Sequence, residues 1–235
     1  LGVGKSFLVN SKAAGDKHPI NVAQVKFDSS AGDFTQMTLN GAWKIVKDLG
    51  GESDYSAKIK YPAQSDLILV PGNVYETYPS YNGYTWYAKE FTAKKAGEGM
   101  KQFIRFDAVQ CLADVYLNGE KLGSNDNSDV PFEFDVTDIL KDGENFLAVK
   151  VYNPAGMCKV ASYSEYPAFW DAGGIWQDVN LVTRGGVFIE DVYAKTDWLT
   201  GKVALEITVN NTTGAQAQTD LFAVYGEFKG AKLGT

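Results

Sequence analysis

Apolar and polar residues alternate at a period of two through most of this chain, with no long helical period competing. Phe132, Phe134 and Val136 alternate with Glu133 and Asp135, and Leu147, Val149 and Val151 with Ala148 and Lys150. Cys111, Ala113, Val115 and Leu117 share one face opposite Asp114, Tyr116 and Asn118, and Val203, Leu205, Ile207 and Val209 repeat the pattern near the C-terminus. This is the signature of half-buried strands. Turn signals separate the runs: Pro71-Gly72-Asn73, Asn118-Gly119, Asp142-Gly143 and Thr200-Gly201. Asn-Gly and Asp-Gly adopt the positive φ angles that tight hairpins need. Many short strands joined this way predict an all-β sandwich or barrel.

The alternation divides the chain into three zones. Residues 1–33 are polar and weakly patterned, an extended N-terminal lead-in. Residues 34–185 hold most strands and most aromatics. After Gly185-Gly186 a new pattern occupies 186–235, with strands expected at Val187–Lys195, Lys202–Asn210 and Asp220–Phe228. An immunoglobulin-like sandwich needs about seven strands and about 100 residues. The final zone is too short for that, so the expectation is a partial second domain cut from a longer protein.

Composition removes several function classes. The chain has one histidine, His18, so a multi-histidine zinc site is excluded, and any histidine-dependent triad must use that residue. Net charge is −7, and Arg105 and Arg184 are the only arginines, which argues against nucleic acid as a partner. No apolar run is long enough to span a bilayer, so no membrane partner is expected. Leu1–Asn10 does not read as a signal peptide. Two cysteines leave the compartment open, with a periplasmic or secreted location favoured.

Local motifs carry little chemistry. Gly2-Val3-Gly4-Lys5-Ser6 ends like a P-loop, but the residues after it are polar and β-like where a helix should begin. Asn125-Asp126-Asn127-Ser128-Asp129 spaces oxygen ligands as calcium loops do. Val130 stands where the glycine belongs and Val136 where the glutamate belongs, so an Asx-rich turn is the simpler reading. A structural calcium site of another geometry is the alternative; no other cofactor is expected from these residues. Cys111 reads as a buried, inert thiol, and Cys158 is assigned no chemistry. Glycoside hydrolysis needs only two carboxylates, and Glu76, Glu165, Asp171 and Asp178 lie near aromatics.

Two aromatic loops are the stronger signal. One runs from Tyr75 through Tyr78, Tyr81, Asn82 and Tyr84 to Trp86 and Tyr87. The other runs from Tyr163 through Glu165, Tyr166, Phe169, Trp170 and Asp171 to Trp176. A pyranose stacks its C–H face on an aromatic ring while Asn, Asp or Glu take its hydroxyls. Both loops offer that mixture; core and interdomain packing is the competing explanation.

Five segments in order carry a family resemblance. They are Leu39-Asn40-Gly41-Ala42-Trp43; Tyr84 to Phe91; Phe106 to Gly123; Pro131 to Val151; and Gly173-Gly174-Ile175-Trp176 to Val179. Their order and spacing resemble the N-terminal sugar-binding domain of glycoside hydrolase family 2, which includes β-galactosidases, β-glucuronidases and β-mannosidases. The resemblance implies a galactose-binding-like jelly roll, then an immunoglobulin-like sandwich, then a (β/α)₈ barrel bearing both catalytic glutamates. It therefore implies no catalytic residue in this chain, a carbohydrate ligand, and the missing barrel of the same polypeptide as partner. The parent enzyme would be a retaining β-glycosidase. By position, Asn82 matches the family asparagine that reaches the sugar from the jelly roll. Ala168 occupies the place of a family aspartate, with which any structural sodium would go, and Asp171 or Glu165 could substitute for it. Gly123-Ser124-Asn125 replaces a usual Gly-x-His segment, so specificity for galactose is not implied. Tyr81 and Trp170 complete the expected substrate-binding set, with no metal ligand among them. A free-standing sugar-binding module and a purely structural domain bracing the barrel are the other two readings.

Overall fold

The computed structural model describes residues 34–154, 173–197, 199 and 202–216, together with the backbone of strands at 5–9, 221–225 and 229–234. The chain divides into two compact units, one of Thr35–Thr183 and one of Leu1–Phe34 with Arg184–Thr235.

The larger unit is an antiparallel β-sandwich. Its six-stranded sheet runs β4 (Asp66–Val70), β3 (Gly41–Asp48), β5 (Gly83–Ala93), β10 (Gly143–Asn153), β7 (Leu112–Leu117), β8 (Glu120–Asn125). A four-stranded sheet runs β2 (Phe34–Thr38), β11 (Val179–Arg184), β6 (Lys101–Phe106), β9 (Phe132–Asp135). Among the described residues the only α-helix is one turn, α1 (Val74–Thr77), capped by the Asn73 side chain, which accepts from the Tyr75 amide at 3.0 Å. Among the described residues no helix is long and apolar enough to cross a membrane.

Alternation puts the expected residues between the sheets. Ala113, Val115 and Leu117 of β7 and Leu147, Val149 and Val151 of β10 join Trp43, Tyr87, Ile104, Phe106 and Ile175 in one buried cluster. Each fully buried large side chain contributes about 1.5–3 kcal/mol. The two-residue Asn118-Gly119 turn joins β7 to β8, with φ of 56° and 93°, so Leu117 pairs with Glu120 as a type I′ hairpin requires. The segment Leu39–Trp43 is a clasp between sheets. Asn40 donates to the Asp178 carboxylate at 2.9 Å and accepts from the Val179 amide at 3.0 Å, and the Trp43 indole donates to the Leu39 carbonyl.

One departure from simple alternation is informative. Ala148 and Phe146 should face solvent beside Leu147 and Val149, yet both are buried. The stretch 49–65 between β3 and β4 folds over the outer face of the six-stranded sheet there. Its Tyr61 and Tyr55 meet Trp86, Phe146 and Ala148 in a second apolar cluster.

In the smaller unit, β12 (Val187–Asp197) pairs antiparallel with β13 (Lys202–Asn211), and β14 (Leu221–Tyr225) with β15 (Lys229–Gly234). The other side of β13 is taken by β1 (Lys5–Val9), in register from Lys5↔Ile207 to Val9↔Val203. This sheet is therefore assembled from both ends of the chain. Lys5 and Ser6, the end of the P-loop-like run, open a strand and not a helix.

Candidate functional site

Cys111 corrects the sequence reading. It is buried as expected, but it is disulfide-bonded and not a free thiol. The chain's other cysteine, Cys158, lies outside the described residues. The thiol reading failed because strand alternation reports burial and says nothing about a partner distant in sequence.

The first aromatic loop is built around α1. Gly72 and Val74 donate their amides to the carbonyls of Ile175 (3.1 Å) and Gly173 (2.8 Å), and Tyr78 and Tyr81 close successive turns on Val74 and Tyr78. The Tyr78 hydroxyl lies 2.7 Å from an Asp66 carboxylate oxygen. Burial first, and that carboxylate second, push the Tyr78 phenol well above its ordinary range. Tyr81 sets its ring edge-on to Tyr78, under the Lys47 ammonium, and donates its hydroxyl to the Tyr84 carbonyl at 2.8 Å. Gly83, at φ 140°, leaves room for that hydroxyl. Tyr81 thus serves the frame of the loop, with a half-buried ring and a committed hydroxyl.

Asn82, immediately before β5, is different. It is exposed, and its Oδ1 accepts from the Tyr75 hydroxyl at 3.3 Å. That bond orients the amide and leaves Nδ2 without a hydrogen-bond partner among the described residues. An oriented amide at the start of a rigid strand can donate to a sugar hydroxyl.

The second aromatic loop, with Glu165, Trp170 and Asp171, lies outside the described residues, as does Ala168. Its flanks do not. Asn153 pairs with Gly83 at the end of the β10–β5 ladder, beside Asn82. Gly173 accepts from Val74 at the start of α1, and Gly174 exchanges two backbone hydrogen bonds with Gln110. The segment therefore leaves from and returns to the structure that carries Asn82. The two glycines are needed at this return point: Cβ atoms on Gly173 and Gly174 would collide with Asn153 Nδ2 and the Tyr87 hydroxyl, and Gly174 has φ 96°. Those two buried polar atoms have no well-formed hydrogen bond among the described residues.

The remaining aromatics of the first loop are split by β5. Tyr87 points into the main core, and Trp86 points to the opposite face, where its indole donates to the buried Asp48 at 3.2 Å. Trp86 is a packing residue, a fate the loop's composition alone could not reveal. Of the described carboxylates, Asp178 is committed to Asn40, and Glu76 is exposed in the single turn of α1. In the 125–129 run, Asn127 Oδ1 accepts from the Asp129 amide at 3.2 Å, an Asx turn, and the Trp176 indole donates to the Ser128 carbonyl. Among the described residues no three His, Cys, Asp or Glu side chains gather as metal ligands.

The family model for "Glycosyl hydrolases family 2, sugar binding domain" matches residues 12–185. A β-galactosidase of Clostridium acetobutylicum is 34% identical over 137 residues, covering 58% of this chain and 14% of that protein. A β-glucuronidase of Formosa agariphila is 40% identical over 118 residues, covering 46% of this chain and 12% of that protein. The chain thus spans only about a seventh of the length of these curated relatives. Among solved structures, Bifidobacterium dentium β-glucuronidase complexed with coumarin-3-O-glucuronide is 27% identical, with a TM-score of 0.56, over 70% of this chain and 32% of that one. Ruminococcus gnavus β-glucuronidase, at 19% identity, shares the fold with a TM-score of 0.64 over 86% of this chain and 39% of that one. An antiparallel sandwich with the five ordered segments in place, matched over residues 12–185, makes this chain a member of glycoside hydrolase family 2, of which it carries the sugar-binding domain.

Proposed function

We propose that this chain is the non-catalytic, carbohydrate-binding N-terminal region of a β-glycosidase whose hydrolytic (β/α)₈ barrel lies outside these residues. In this reading 34–185 is a jelly roll, 186–235 is part of an immunoglobulin-like sandwich, and 1–33 is an extension whose strand β1 completes the smaller sheet. The jelly roll forms one wall of the pocket for the sugar. The relatives act as whole enzymes several times longer than this chain, which supports a division of labour between this region and the rest.

The observation that carries the proposal is Asn82. Its amide is exposed, oriented by Tyr75, and placed where both ends of the second aromatic loop are anchored. Glu165, Trp170 and Asp171 join it from that loop, the carboxylates taking hydroxyls and the indole stacking on the ring. Tyr81 serves the frame of the first loop, its hydroxyl donated to the Tyr84 carbonyl. The disulfide at Cys111 suits an oxidising compartment and supports a periplasmic or secreted location.

The test is Asn82→Ala in the polypeptide that includes the barrel. One hydrogen bond to substrate is worth about 1–1.5 kcal/mol, so KM rises about tenfold while kcat stays within about twofold. An unchanged KM removes Asn82 from the pocket.

A further inference from the structure

Among the described residues, the 49–65 stretch covers part of the outer face of the six-stranded sheet. Elsewhere on that face opens a hollow of about 440 Å³, within the range of small-molecule sites, whose lining includes Tyr84, Tyr152, Leu112, Lys150, Asp114 and Asp126. Strand register explains its composition. Tyr84, Tyr152 and Leu112 stand side by side across β5, β10 and β7. Trp86, Lys150, Asp114 and Ser124 form the next row on the same face. An aromatic row thus lies against a polar row.

The aromatic row is pre-organised. The Tyr84 and Tyr152 rings lie 4.4 Å apart, tilted by 31°. Tyr84 is held by the Gly51 backbone, which has no room for a side chain there, and by the Lys150 ammonium 4.9 Å from its ring centre. Leu112, 46% exposed, extends the apolar floor beside Tyr152. In the polar row, one Asp114 oxygen takes Ser124 Oγ at 2.5 Å and Lys121 Nζ at 2.8 Å, which fixes the carboxylate and leaves its second oxygen free to accept. Burial raises the Asp114 pKa, but Lys121 and Ser124 outweigh it and hold the group low, so it is ionised at neutral pH. Asp126 stands exposed at the rim and forms no ion pair among the described residues.

The charges choose the ligand. Lys150 is bonded to the Gly51 carbonyl and lies 3.9 Å from the buried Asp48, while Lys121 is engaged by Asp114. Among the described residues no unengaged cation faces the hollow, whereas carboxylate oxygens do. A rigid aromatic floor with fixed hydroxyl acceptors suits an uncharged polyol ring and repels an anionic one. We infer that this hollow is a second carbohydrate site, on the sheet face, that takes neutral hexose units and rejects uronic acids. It goes beyond the Asn82 reading and does not depend on it.

The test is calorimetric titration of the 235-residue chain with lactose, cellobiose and glucuronic acid. The expected result is millimolar binding of a neutral disaccharide, with glucuronic acid at least about tenfold weaker. Tyr152→Ala lowers the affinity about tenfold, and the exposed-site variant Asp126→Ala, which leaves the fold untouched, lowers it about threefold. No binding of either disaccharide at tens of millimolar overturns the inference, as does equal binding of glucuronic acid. If Asn82→Ala abolishes binding while Tyr152→Ala and Asp126→Ala retain it, the sheet-face site is refuted and the loop reading stands.

Discussion

Replacing Asn118 probes the hairpin that carries Asp114 and Ser124. Its side chain donates to the Ile139 carbonyl (3.2 Å) and to Asn145 Oδ1 (2.9 Å), and accepts from the Phe146 amide (3.0 Å). At about 1 kcal/mol each, these bonds sum to about 3 kcal/mol. The φ of 56° adds about 1 kcal/mol for any residue with a Cβ that lacks a compensating local bond. Asn118→Ala therefore loses about 4 kcal/mol, and Asn118→Gly, which tolerates the backbone, about 3 kcal/mol. Urea melts tracked by far-ultraviolet circular dichroism measure both. Losses under about 1 kcal/mol, or an alanine variant as stable as the glycine one, refute the reasoning.

The same geometry supports other expectations. Gly174→Ala drives a methyl onto the Tyr87 hydroxyl and destabilises by several kcal/mol, on the order of the largest point-mutant effects. Tyr87→Phe alone is neutral or stabilising because it removes a buried hydroxyl that lacks a well-formed hydrogen bond, and it partly rescues Gly174→Ala; no rescue in thermal melts sinks this account. Breaking the disulfide at Cys111 is expected to cost about 2–4 kcal/mol. Reductant should therefore lower Tm markedly, and an unchanged Tm contradicts the bond. The Asp54 carboxyl is held at about 2 by hydrogen bonds from Lys60 first and Ser56 second. Because the folded pKa is depressed, its small surface contribution is full above the ordinary value near 4 and is lost as pH falls toward 2. A carbon-detected NMR titration with a midpoint near 4 rejects this.

Much of the fold was legible because its signals are local. Alternation in 111–117 and 147–151 put the right residues in the core, and Asn118-Gly119 announced its own hairpin. What the sequence hid depends on distant contacts. Nothing in Phe146 or Ala148 reveals that Tyr55 and Tyr61 cover them, so a face expected to be wet is half dry. Nothing in Lys5–Val9 points to β13, far along the chain. Trp86 looked like part of a sugar-facing loop until β5 turned it onto Asp48. The sheet-face hollow went unseen for the same reason: Tyr84, Tyr152 and Asp114 meet only through the register of three strands. Asn82 was singled out because its spacing from Tyr87 and Phe91 resembles a family pattern; the structure shows it exposed, and its sugar contact is a proposal.

The central claim is that this region presents Asn82 to a sugar held against the rest of a family 2 enzyme. A crystal structure of the polypeptide that includes the barrel, with a bound glycoside, tests it most directly. The account predicts Asn82 Nδ2 within about 3.2 Å of a sugar hydroxyl. A fully occupied glycoside with no atom within about 6 Å of Asn82, well beyond hydrogen-bond or single-water reach, would contradict it.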